Sequence, residues 1–81
     1  MKVIVLPKFD EEYTDLPDKI KKKVNKQINF LLQNLHHPSL HVKKYDETND
    51  IWQARIDRSY RFYFKVEGDL YILTELCKHS D

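Results

Sequence analysis

Eighty-one residues, 41% hydrophobic and 33% charged, describe a folded chain the size of one small domain and exclude a disordered one. A single cysteine, Cys77, excludes a disulfide framework and a thiolate zinc cluster, so neither a metal nor another cofactor is expected. The net charge of +1 hides an uneven spread: residues 19–44 carry seven lysines and no acids, whereas residues 45–81 carry five basic and eight acidic groups.

The first apolar run, residues 3–6, fits a buried strand stopped by Pro7. It is too short for a signal-peptide core or a bilayer span, which leads us to expect a soluble cytoplasmic protein without membrane partners. Residues 8–13 predict one or two helical turns with Phe9 and Tyr13 on one face. Asp15 is then the expected N-cap of a long helix over residues 16–35, with Pro17 and Asp18 in its first turn. Ile20, Val24, Ile28, Leu31, Leu32 and Leu35 recur at three- and four-residue spacing, and Lys19, Lys22, Lys23 and Lys26 fall mainly on the other side. Pro38 forbids continuation.

After Pro38 the period changes to two. Residues 40–45 predict a short strand with Leu40 and Val42 on one face, and residues 46–50 a polar turn. Along residues 51–57, Trp52, Ala54 and Ile56 face one way and Gln53, Arg55 and Asp57 the other. Residues 58–59 connect to a strand in which Tyr60, Phe62, Phe64 and Val66 alternate with Arg61, Tyr63 and Lys65. A Gly68 hairpin leads to a last strand, with Leu70, Ile72, Thr74 and Leu76 expected on one side. The expected fold class is α+β: an antiparallel meander, joined by the N-terminal strand and covered on its aromatic face by the amphipathic helix.

The opposite sheet face carries the candidate functional residues. Arg55, Arg61, Tyr63 and Lys65 point outward there, Lys43 flanks them, and Lys44 follows Lys43. Planar guanidinium forks match phosphate, and tyrosine stacks on bases, so the set suits single-stranded nucleic acid. A solvated face whose arginines pair with Glu75 and Asp57 accounts for the same pattern. His41 and His79 supply groups of the type that titrates near neutral pH, and Lys78 and Asp81 flank His79. The four histidines form no metal motif, and Cys77 reads equally as a core or a surface thiol.

Taken together, the helix LPDKIKKKVNKQINFLLQN, the segment HPSLHVKKY, the meander DIWQARIDRSYRFYFKVEGDLYILTEL and the closing KHSD resemble the RelE/ParE superfamily of toxin–antitoxin toxins, in particular its plasmid-stabilisation and YafQ-like branch. The resemblance spans nearly the whole chain and implies a β-α-α-β-β-β(-β) fold with a concave basic face. It implies a type II toxin that enters the ribosomal A site of the 70S ribosome and cuts messenger RNA without a metal, inhibiting translation. On this resemblance Arg61 matches the phosphate-stabilising arginine, Lys44 the lysine of the family's KKL segment and His79 the proton-transfer histidine. His41 is a second proton-transfer candidate. Lys43, Arg55, Tyr63, Lys65 and Lys78 are the implied RNA contacts, and a cognate antitoxin is the implied protein partner. The sequence departs from the family where relatives continue KLKG and it has Tyr45–Asp46, and where they carry glycine and it has Cys77. The same superfamily contains DNA gyrase inhibitors, and a catalytically degraded binding module is the remaining alternative.

Overall fold

The computed structural model describes residues 1–78, in the order β1 (Lys2–Val5), α1 (Pro7–Thr14), α2 (Asp18–Gln33), a 3₁₀ turn (Pro38–Leu40), β2 (Lys43–Asp46), β3 (Ile51–Arg55), β4 (Tyr60–Glu67) and β5 (Leu70–Lys78). The strands form one sheet in the order β1-β5-β4-β3-β2. β2 to β5 run antiparallel as a meander, and β1 adds in parallel beside β5, pairing Lys2 with Leu70 and Val5 with Leu73. This is the β-α-α-β-β-β-β arrangement expected from the sequence.

Proline sets the two helix starts. Pro7 ends β1 and opens α1, because its ring fixes φ in the helical range and its missing N–H is no loss in a first turn. The N-cap of α2 is Pro17 and not Asp15, which instead closes α1 with its backbone N–H on Glu11 and Tyr13. The helix therefore runs over 18–33, two residues shorter at each end than its periodicity suggests. Phe9 of α1 meets Phe62 of β4 edge to face at 6.4 Å, and Val24 and Leu31 of α2 are fully buried. Leu40, Ala54, Ile56, Phe64, Tyr71, Leu73 and Leu76 complete a core lying wholly on the helix side of the sheet.

Two strand expectations are corrected. Residues 40–45 are not one strand: Pro38 starts a 3₁₀ turn and His41 takes a left-handed conformation at φ 45°, so β2 begins only at Lys43. In β5 the apolar phase breaks. Tyr63 pairs with Glu75 and Phe64 with Leu73, which leaves Thr74 as an extra residue, its hydroxyl donating to the Tyr63 carbonyl at 3.2 Å. Tyr71 and Leu73 consequently face the core with Leu76, while Leu70, Ile72 and Thr74 do not.

β1 is shorter than β5, and the uncovered edge of β5 is met by side chains from α1. Glu12 accepts from the Leu76 amide at 3.1 Å, and Lys8 pairs with Glu75 at 3.0 Å. The β4–β5 hairpin needs its one glycine, because Gly68 sits at φ +57°.

Candidate nucleic-acid interface

The sheet face away from the helices carries a concave basic cavity of about 300 Å³ lined by His41, Lys43, Tyr45, Gln53, Arg55 and Arg61. Register builds it. Lys43 pairs with Gln53, Gln53 with Tyr63 and Arg55 with Arg61, so alternate residues of three neighbouring strands project to the same side.

Arg61 is held by backbone. Its Nη1 donates to the carbonyls of Asp57 (2.6 Å) and Tyr60 (3.0 Å). Only that nitrogen is engaged among the described residues, leaving the Nε and Nη2 donors for an anion. The carbonyl of Asp57 is fixed in turn, because its carboxylate accepts from the amides of Ser59 (2.7 Å) and Tyr60 (2.9 Å) and pairs with Lys23 of α2 at 3.2 Å. Partial burial alone would raise the Asp57 carboxyl, but those two amides together with Lys23 outweigh it and hold it below its ordinary value.

The other rim is fixed from α2. Gln27, 3% exposed, donates to the carbonyls of Arg55 (2.8 Å) and Ser39 (3.1 Å) and accepts from the Ser39 hydroxyl (3.2 Å). One buried amide thus ties β3 to the 3₁₀ turn that leads to His41. His37 is occupied structurally: its Nδ1 accepts from the Ser39 amide and its ring stacks on Phe30 at 3.9 Å.

The solvated-face alternative required Arg55 and Arg61 to pair with acids. Glu75 instead pairs with Lys8 and Asp57 with Lys23, and among the described residues Arg55, Arg61 and Lys43 have no carboxylate partner. Three cations share one concavity with no counter-charge among the described residues, which favours a polyanionic ligand.

The YoeB/ParE toxin from Agrobacterium tumefaciens superposes with a TM-score of 0.83 at 16% identity, covering 99% of this chain and 100% of that one. A chain of the archaeal RelE–RelB complex from Pyrococcus horikoshii OT3 gives 0.80 at 17%, covering 95% and 92%. A chain of the heterotetrameric YoeB–YefM toxin–antitoxin complex from Staphylococcus aureus gives 0.76 at 18%, covering 98% and 95%. The chain has the fold of the RelE/ParE/YoeB toxins. No protein-family model matches the sequence, and no curated protein matches it significantly.

Within this toxin fold the expected site residues separate. Arg61, Arg55, Lys43 and His41 come together in the basic cavity. Lys44 does not: it pairs across the ladder with Trp52, lies over that ring at 4.5 Å and forms an ion pair with Asp50. The expectation that Lys44 and Arg61 surround one phosphate is corrected, because adjacent residues of a strand point to opposite faces. Lys78 pairs with Tyr60, on the core side of the ladder and opposite Arg61. Lys65 is on the open face but beyond the cavity, opposite Ile72. His79 lies outside the described residues.

Tyr63 lines a neighbouring cavity of about 230 Å³ with Tyr45, Ile51, Thr74, Glu75 and Cys77. Burial pushes its phenol up from the ordinary value, the Cys77 thiol and the Tyr45 phenol add to the rise, and the hydrogen bond from Gln53 at 3.1 Å opposes it. The sequence reading missed Tyr45 and Gln27. Tyr45 is two residues from Lys43 in a strand, a spacing that signals a shared face. Gln27 sits on the apolar stripe between Val24 and Leu31, which signals a buried polar anchor.

Proposed function

We propose that this protein is the toxin of a type II toxin–antitoxin pair, of the plasmid-stabilisation and YafQ-like branch, and that it cuts messenger RNA on the ribosome. The observation carrying this reading is the basic cavity, whose cations have no carboxylate partner among the described residues and whose Arg61 is pinned to backbone carbonyls, on the open face of a RelE/ParE/YoeB toxin fold. An RNA backbone crossing that face meets cations at Lys43, Arg55 and Arg61.

The chemistry is transfer within the RNA. A base removes the proton of a ribose 2′-hydroxyl, and that oxygen bonds to the adjacent phosphorus. The bond to the 5′-oxygen breaks and an acid protonates the departing oxygen, giving a 2′,3′-cyclic phosphate and a 5′-hydroxyl. His41 at the cavity rim and His79 are assigned the two proton transfers. Arg61 is assigned the charge that builds on the phosphorane; such a preorganised donor is worth about 10²–10³ in rate.

The partner assigned is an acidic antitoxin segment. Lys21 of α2 lies 5.7 Å from the ring of Tyr13, which with Val5, Phe9, Asp10, Asn25 and Ile28 lines a cavity of about 280 Å³, and Ile4, Val5 and Leu6 are exposed at the β1 edge. An apolar anchor and a negative chain suit that surface. The assigned location is the cytoplasm; among the described residues no helix is long and apolar enough to cross a membrane.

The test is induced expression of the wild type beside Arg61→Ala and His79→Ala, with messenger 5′ ends mapped. The expected result is growth arrest with codon-phased cleavage, lost in both variants. Intact messenger with or without ribosomes overturns the reading, and intact messenger with inhibited supercoiling selects a gyrase inhibitor instead.

A further inference from the structure

Tyr45 is the most exposed large apolar side chain among the described residues, at 60%, and it stands on the polar sheet face. Its position is built. Lys44 pairs with Trp52 and Asp46 with Ile51, so Tyr45 is the extra residue of a bulge in edge strand β2. A bulge bends its strand locally and re-aims a side chain. The ring leans edge-on against Tyr63, with centroids 4.8 Å apart and planes at 62°, which fixes one edge and leaves most of the residue in solvent.

Tyr45 also lines both open-face cavities. On one side is the basic cavity with Lys43, Arg55 and Arg61, and on the other the cavity with Ile51, Tyr63 and Thr74. A solvent-facing aromatic braced by a second ring, alongside cations that have no carboxylate partner among the described residues, is the arrangement that grips single-stranded nucleic acid: charge follows the backbone and the ring takes a base.

We propose that Tyr45 is the stacking platform for a nucleobase of single-stranded RNA whose phosphate occupies the basic cavity. The proposal rests on the ribonuclease reading for its ligand and adds to it a base subsite. Every base offers a π-face, so the platform holds the strand without selecting sequence.

The probe is a 2′-O-methyl tetranucleotide, whose blocked 2′-oxygen prevents cleavage, and a matched tetranucleotide lacking its bases. Binding is followed by NMR titration at low salt. Tyr45→Ala is expected to weaken the intact probe about 5- to 150-fold and Tyr45→Phe to leave it within about twofold. The base-free probe is expected to bind the wild type and Tyr45→Ala equally. Base protons shift upfield on the wild type and not on Tyr45→Ala.

If Tyr45→Ala binds the intact probe like the wild type while Arg61→Ala does not, the platform is overturned and the ribonuclease reading survives. Equal weakening of both probes by Tyr45→Ala also overturns it. If the platform behaves as expected and messenger stays intact in cells, the ribonuclease reading alone fails. No binding by the wild type removes both. The wild type's preference for the intact probe needs no variant, so a variant that fails to fold does not rescue the proposal.

Discussion

Replacing Asp57 by asparagine removes one charge while keeping an oxygen that reaches the amides of Ser59 and Tyr60. Hydrogen bonds to a charged acceptor contribute about 1.5–3 kcal/mol each, against about 0.5–1.5 for neutral pairs. The Lys23 partner is 42% exposed, so that pair adds at most about 1 kcal/mol. The two amides and Lys23 together favour the charge by about 2–4 kcal/mol, and the desolvation of the carboxylate, which asparagine relieves, offsets part of this. The expected cost of Asp57→Asn at pH 7 is therefore about 1–2 kcal/mol, a fall in Tm of roughly 5–15 °C for a domain of this size. The carboxyl titrates lower in the folded state than its unfolded value of about 3.9. Its contribution is thus complete above that value and lost as pH falls through the folded one. Denaturant melts of wild type and Asp57→Asn between pH 7 and pH 2 should show two stabilities that differ at neutral pH and converge in acid. A gap that stays constant, or widens as pH falls, refutes the account. Asp57→Ala removes the oxygen too and opens the turn, so at matched folded fraction it should reduce RNA cleavage more than Asp57→Asn, because the carbonyl of Asp57 holds Arg61.

Gln27→Leu strands the carbonyls of Arg55 and Ser39, and should destabilise the protein by about 1–3 kcal/mol in chemical denaturation. Faster amide exchange should appear around Ser39 and Arg55 if the amide is the tie between them. The neighbouring lysines should behave oppositely: Lys44→Ala uncovers Trp52 and costs about 1 kcal/mol of stability with RNA affinity kept. Lys43→Ala should leave stability within about 0.5 kcal/mol and reduce the slope of log affinity against log salt by about 0.7.

The meander and the long helix are legible in the sequence because each repeats one period over many residues: Trp52, Ala54 and Ile56, then Tyr60, Phe62, Phe64 and Val66, face the core as alternation requires. β5 is harder, because LYILTEL is apolar on both sides of the strand. The Thr74 bulge selects Tyr71 and Leu73 over Leu70 and Ile72 through pairing with β4, which no local pattern encodes. The start of α2 was misread because Asp15 suits an N-cap by type, whereas the chain uses it to finish α1. At the site, alternation alone places Arg55, Arg61 and Lys43 on one face. The place of Lys44 at the phosphate site rests only on the family resemblance, and strand parity sends its side chain to the other face. The freedom of the arginines from acids is a tertiary outcome, since Lys8 and Lys23 reach Glu75 and Asp57 from helices far away in sequence.

The parallel ladder between β1 and β5 joins the first strand to the last, Lys2 to Leu70. Such a contact closes a loop of nearly the whole chain and is among the slowest to form. While the chain is being synthesised, β1 has no partner, and α1 lacks the β5 surface it packs on. The basic cavity is likewise built from β2, β3 and β4, which follow both helices. A nascent chain therefore has both helices before it has the face they support, so a protein proposed to act on ribosomes carries no binding face until β4 has been made.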